Sequence, residues 1–263
     1  LLGSSTAENY NNRWFDEAFG CTTVKAIKSS GTTADLKFYL DEAFAAHDIK
    51  NIFYSLDLFA LDGDPETNFV NDSMPLYLYD KNPFNDVKYL FNKDVLFKDI
   101  PYLLAMNLSG GYDEGTSYNW WQYKTFSEEE ARKHYEQKET VEPMQPESLW
   151  KDRVDANIRI LEEYVKGHPD TAFYFFLPPY SELWWDSDFQ TDATIIRNLD
   201  NYMDPVHFSA DVNHLMAQEA AKEDSEYLVK KEEIAGRAER MRELVKIIVP
   251  VGTASDKSQY NPL

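Results

Sequence analysis

Apolar and polar positions follow two rhythms along this chain. Short apolar runs at Thr23–Ile27, Ile52–Phe59 and Ala172–Leu177 are bounded by polar or turn-forming residues and predict β-strands. Leu1-Leu2 running into Gly3-Ser4-Ser5 reads as the tail of a further strand. Strands usually run about 5–6 residues, so the polypeptide is expected to begin upstream of Leu1. Between the strands the period changes to 3–4. Leu36, Leu40, Ala43, Phe44 and His47 predict a helix over Thr33–His47 with Thr33 as its N-cap. Leu149, Val154, Ile158, Leu161 and Val165 predict another over Glu147–Lys166, stopped by Gly167 and Pro169. Strand–helix alternation points to an α/β fold with a mainly parallel sheet, as a single domain over residues 1–263.

Two regions depart from this rhythm. Asp62 to Val141 is rich in Asn, Asp, Tyr and Trp and reads as an insertion of loops and short helices over one end of the sheet. Its Asn119-Trp120-Trp121-Gln122-Tyr123 run fits either the insertion's own core or a platform on which sugars stack. Lys222–Lys246 mixes both charge signs with an apolar stripe of Ile234, Ala238, Met241 and Val245, and predicts a C-terminal amphipathic helix with a solvated face. Ile247–Val251 could add a strand, which Pro250 would confine to an edge.

Charge narrows the function classes. Lys+Arg 26 against Asp+Glu 46 gives a net charge of −20, a field that repels phosphate backbones and disfavours docking on anionic lipid through a basic patch. No apolar run approaches the roughly 18 residues of a membrane span. Cys21 is the lone cysteine, which excludes an intramolecular disulfide, a cysteine metal cluster and a CxxC redox pair. HExxH and phosphate-loop motifs are absent, and of the five histidines only His207 and His214 are close together. No metal or cofactor is expected.

Acyl chemistry has better candidates. Gly3-Ser4-Ser5-Thr6 follows the first strand, where a parallel sheet places its ligands. Ser5 there could be a nucleophile, or Ser5 and Thr6 could simply cap the next turn. A serine needs a base. Asp204-Pro205-Val206-His207 supplies a carboxylate that can orient an imidazole, but Asp211-Val212-Asn213-His214 has the same spacing. Ser209 reads as an N-cap, which puts Asp211 and His214 inside a helix. Asp204 and His207 fall in the Pro-containing loop before it, so His207 is taken as the base. For an oxyanion, the Ser5 N–H is one donor, and Gly31 of Ser29-Ser30-Gly31-Thr32 is either a second or an ordinary turn glycine.

In this order, Gly3-Ser4-Ser5, Gly31 and Asp204-Pro205-Val206-His207 resemble the motifs of the SGNH (GDSL-like) hydrolase superfamily. Gly3 to Tyr10, Tyr79 to Asp86, Leu177-Pro178-Pro179-Tyr180-Ser181 and Asp204 to Ser209 look closer to its membrane-anchored bacterial envelope members, related to D-alanyl-lipoteichoic acid biosynthesis proteins and alginate O-acetyltransferases. The resemblance spans about Leu1 to Met216. It implies a flavodoxin-like three-layer α/β/α sandwich with Ser5 as nucleophile, His207 as base and Asp204 as orienting acid. It also implies acyl transfer to a carbohydrate or polyol hydroxyl, or ester hydrolysis, outside the cytoplasmic membrane behind an N-terminal anchoring helix. An acyl donor and a membrane-bound O-acyltransferase are the partners it implies. Asp57, Tyr180, Trp120 and Trp121 would then contact substrate.

Two departures qualify the resemblance. Ser55-Leu56-Asp57 stands where the family often has Gly-x-Asn. An ionised Asp57 facing an oxyanion would oppose it, which leaves Asn9 as a substitute donor and raises a second expectation, a catalytically silent module that binds glycans or an envelope partner. The stretch from Trp185 to Asp204 is also too short for a parallel crossover, so residues are missing there or the family's fifth strand is absent.

Overall fold

The computed structural model describes residues 1–68, 74–135, 146–184, 194–230, 232–234 and 236. Strands β1 (Leu2–Gly3), β2 (Ala26–Ile27), β3 (Asn51–Ser55) and β4 (Ala172–Phe176) form one parallel sheet in the order β2-β1-β3-β4. Helices α1 (Asn12–Phe19), α2 (Thr33–Ala46) and α3 (Leu58–Leu61) lie between and after the first three strands. Short helices α4 (Val87–Leu90), α5 (Ile100–Leu108) and α6 (Glu128–Lys133) punctuate the 62–141 region. Helices α7 (Lys151–Gly167), α8 (Thr194–Arg197) and α9 (Ala210–Ala220) follow. The alternation read from the sequence is thus an α/β fold on a parallel sheet, and none of these helices is long and apolar enough to cross a membrane.

The pleat of β3 divides the core. Phe53 packs with Leu1, Ala7, Tyr10, Phe15 and Ala217, the side of α1 and α9. Its neighbours Ile52 and Tyr54 point the other way, to Leu2, Leu36, Leu40 and Leu161 on the side of α2 and α7. Covering both faces is what a parallel sheet requires, and it is compatible with a three-layer arrangement.

Element boundaries shift for local reasons. Of the run Thr23–Ile27 only Ala26–Ile27 joins the sheet. β3 ends at Ser55, short of Phe59: Leu56 still donates to Phe176 O at 2.8 Å, and then Ala60 and Leu61 bond back to Asp57 O and start α3. Thr32, rather than Thr33, caps α2, in a reciprocal box where Asp35 N donates to Thr32 Oγ1 (3.2 Å) and Thr32 N to Asp35 Oδ2 (2.8 Å). Thr33 instead donates its hydroxyl to Ala60 O at 3.1 Å. Glu147–Leu149 is a 3₁₀ turn, so the long helix begins at Lys151. Residues 222–230 form turns rather than the start of the predicted C-terminal helix. Beyond them only 232–234 and 236 are described, in helical conformation, and the predicted strand Ile247–Val251 lies outside the described residues. Among the described residues no strand falls between Trp184 and Asp204.

One glycine shapes the site. A Cβ on Gly3 would sit 2.6 Å from Ala7 Cβ and 2.8 Å from Ser55 Cβ, so only glycine lets the end of β1 turn so tightly against β3.

Candidate active site

Beyond Gly3 the chain enters a 3₁₀ turn, Ser5–Ala7, capped by Ser4. The capping role expected of Ser5 or Thr6 thus belongs to Ser4, and Ser5 is left with its hydroxyl at the carboxyl edge of the sheet. The Ser5 N–H makes no hydrogen bond among the described residues, so it remains available to an anionic oxygen.

A second loop brings the imidazole. Residues 203–207 are pinched at their base by the antiparallel bridge between Tyr202 and Phe208 and by Ser209 N donating to Asn201 O at 2.8 Å. Tyr202, Phe208 and Val212 sit in a third core cluster with Ala131, Leu183 and Leu199, which anchors the pinch. Within the loop Asp204 Oδ1 accepts from the N–H groups of Val206 and His207, each at 2.8 Å, and so fixes its own orientation. Its other oxygen, Oδ2, lies 2.7 Å from His207 Nδ1. That bond leaves Nε2 free to act as base, and Nε2 lies 2.9 Å from Ser5 Oγ across 202 residues of sequence. Burial pushes the Asp204 carboxyl upward. The His207 bond and charge and the two backbone donors outweigh that effect and hold it below the usual carboxylate range.

The loop after β4 ties the two halves together. Tyr180 and Ser181 are both buried. Tyr180 donates its hydroxyl to Asp57 Oδ1 at 2.6 Å, and the same carboxylate accepts from Thr6 Oγ1 at 3.2 and 3.4 Å, one residue past Ser5. Ser181 donates N–H (3.1 Å) and hydroxyl (2.8 Å) to Pro205 O, inside the Asp204–His207 loop. Two consecutive side chains therefore grip the serine turn and the histidine loop.

This arrangement corrects several expectations. Asp57 is 1% exposed and turned under the serine turn, so it neither faces an oxyanion nor meets substrate. Tyr180, 2% exposed, is a support for Asp57 rather than a substrate contact, and burial and then the Asp57 charge push its phenol up. Gly31 donates its N–H to Lys28 O at 2.8 Å and so closes a turn, which removes it as an oxyanion donor. Ser30, in the left-handed region at φ 54°, lines the cleft in its place. Asn9 accepts the N–H groups of Trp120 (3.0 Å) and Trp121 (3.1 Å) on its amide oxygen, which ties it to the aromatic loop and is no correction of its expected role, since an oxyanion donor would be its Nδ2–H₂. Trp121 is exposed and lies outside the lining of the cleft.

Trp120 does line it. The cleft has a volume of about 410 Å³, with Ser5 and His207 joined by Ser29, Ser30, Trp120, Lys124 and Met203. The indole meets the His207 ring edge-on, with centroids 5.3 Å apart and an 81° interplanar angle. Its Nε1–H donates to Glu8 Oε2. Burial pushes the Glu8 carboxyl up, against the opposing pull of Trp120, His207 and Lys25. Lys25, only 7% exposed, donates to Tyr10 O (2.7 Å), Glu8 O (3.0 Å) and Asn119 Oδ1 (2.7 Å), and burial pushes its ammonium down to about 8.

Sequence reasoning missed Glu8, Lys25, Thr6, Ser181 and Met203. Ser5-Thr6-Ala7-Glu8 has the Ser-x-x-Glu spelling of a capping box, which gives Glu8 an ordinary local role on paper. Lys25 could have been flagged as a lone cation inside an apolar run.

Chemically, the site offers an alcohol nucleophile, an oriented imidazole and a backbone donor beside a partly aromatic cleft. Comparisons with protein-family models, curated proteins and solved structures each find no match to this chain.

Proposed function

We propose that this protein is a Ser-His-Asp acyl-group enzyme of the SGNH type. Ser5 Oγ attacks the carbonyl carbon of an ester donor while His207 Nε2 takes its proton. The tetrahedral oxygen is met by the Ser5 N–H. Collapse breaks the donor's C–O bond, and the imidazolium returns the proton to the departing alcohol. A second hydroxyl, activated by the same imidazole, then attacks the acyl-Ser5 ester and frees the serine. The single observation that carries this reading is the chain of contacts Asp204 Oδ2–His207 Nδ1 at 2.7 Å and His207 Nε2–Ser5 Oγ at 2.9 Å. Both lie within the reach that proton transfer needs.

The parallel order β2-β1-β3-β4, with the serine directly beyond β1, supports the flavodoxin-like sandwich of that superfamily. On the same reading the acceptor is a hydroxyl of an envelope carbohydrate or polyol, or water, at the outer face of a bacterial cytoplasmic membrane. The acyl donor is supplied there with a membrane-bound O-acyltransferase as partner. Asp57 offers no obstacle, because its carboxylate is occupied by Thr6 and Tyr180.

A fluorophosphonate probe tests the proposal. Stoichiometric labelling of Ser5, located by peptide mass mapping and abolished in Ser5→Ala and His207→Ala, is the expected result. A folded protein that takes no label refutes it.

A further inference from the structure

We propose that Glu8 is a positioning residue: its carboxylate pins the Trp120 ring beside His207 and thereby sets how often the acyl group on Ser5 passes to an alcohol rather than to water. The inference rests on the acyl-enzyme reading above and assigns a role to a carboxylate that the triad itself does not use.

The segment around Trp120 is bolted to the residues that follow the nucleophile. Asn9 accepts the Trp120 N–H at 3.0 Å through its side chain, and its carbonyl accepts from Asn119 Nδ2 at 3.1 Å. Lys25 joins Asn119 to the carbonyls of Glu8 and Tyr10. These bonds fix the backbone and the neighbouring amide. They do not fix the rotation of the indole. That falls to the Nε1–H···Glu8 Oε2 bond, which ties the far edge of the ring to a half-buried carboxylate three residues past Ser5. Glu8 is thus the one described partner that reads the ring's orientation, and the ring is what stands against the imidazole.

An indole wall discriminates between nucleophiles. A lone water beside His207 Nε2 loses hydrogen-bond partners on the aromatic side, whereas a polyol buries its C–H surface there while one hydroxyl reaches the base. In the transfer step the acceptor oxygen bonds to the acyl carbon and the Ser5 Oγ–acyl bond breaks. The acceptor's proton passes to His207 Nε2 and then to Ser5 Oγ. Water in the same position yields the free acid instead. A ring released from Glu8 admits water without changing the triad.

The test uses the full chain with p-nitrophenyl acetate as donor and glycerol as acceptor. The burst of p-nitrophenol reports acylation of Ser5, and the ratio of glyceryl acetate to acetate reports the partition. Losing one hydrogen bond to a charged group corresponds to a change of about ten-fold or more, so Glu8→Ala is expected to move the ratio toward acetate by about that factor. Trp120→Phe, which keeps a ring but lacks the N–H, should move it the same way. Glu8→Gln keeps an acceptor oxygen and should restore the ratio. A burst with an unchanged ratio in both Glu8→Ala and Trp120→Phe overturns the positioning role alone. Absence of any burst in the unsubstituted protein overturns the acyl-enzyme reading and this inference with it.

Discussion

Replacing Tyr180 with Phe removes one oxygen from the support beneath the Ser5 turn and changes nothing else in shape. The ring stays, so no cavity opens and the transfer term for the apolar atoms is untouched. What is lost is the 2.6 Å bond to Asp57 Oδ1 inside a region where Tyr180 is 2% and Asp57 1% exposed. Thr6 Oγ1 remains the carboxylate's other partner, at 3.2 and 3.4 Å. A hydrogen bond to a charged group contributes about 1.5–3 kcal/mol, and water cannot reach this site to replace it, so Tyr180→Phe should lower the unfolding free energy by about 2 kcal/mol. Urea denaturation followed by circular dichroism measures it as a lower midpoint at unchanged slope. Because Thr6 adjoins Ser5, kcat for p-nitrophenyl acetate should fall as well. A double-mutant cycle with Asp57→Asn isolates the pair, and the coupling should exceed about 0.5 kcal/mol, the scatter of independent sites. A loss in Tyr180→Phe below about 0.5 kcal/mol would place this position with ordinary surface substitutions and refute the idea that the two loops are gripped from below.

Asp204→Asn should slow turnover severely while the fold survives. The Asn carbonyl can keep the Val206 and His207 N–H bonds, but its NH₂ then faces Nδ1 and forces the proton onto Nε2, so kcat is expected to drop about 10³–10⁴-fold with an unchanged circular dichroism spectrum. Kinetics within a few-fold of the parent would remove Asp204 from the mechanism. Lys25 predicts a pH dependence. Its folded value of about 8 lies below the ordinary lysine range, so between roughly pH 8 and 10 the unfolded chain binds more protons and stability rises with pH. Urea midpoints measured across that window should climb more steeply in the parent than in Lys25→Met; parallel profiles would mean that the Lys25 ammonium titrates like a solvated one.

The site was legible where the chemistry is local. Asp204 and His207 could be told from Asp211 and His214 because Ser209 announces a helix start and Pro205 a loop. The structure places His214 within α9, stacked on Trp14 at 4.7 Å. Asp204 reaches His207 within a single loop, so spacing carried the inference. Asp57, Tyr180 and Gly31 were assigned to substrate or oxyanion because their residue types suit those roles. The partners of the first two lie 51 and 123 residues away, in Thr6–Asp57 and Tyr180–Asp57, and no local pattern encodes such pairings. Gly31 differs: its partner is Lys28, and a glycine that closes a turn is spelled like one that clears space for a ligand. The strands were found but overextended. An apolar run does not reveal where the chain turns away: after Leu56 the backbone of Asp57 already accepts the first bonds of α3.

The distance between Ser5 and His207 along the chain has a consequence during synthesis. Domains tend to fold from the N-terminus as they leave the ribosome. Ser5 leaves the ribosome well before His207, which follows 202 residues later. A nascent or truncated product can therefore carry a finished β1 turn and still be inert toward esters. On the proposed reading, reactivity appears only once the loop of Asp204 and His207 has docked, so a labelled serine reports that these two distant segments have met.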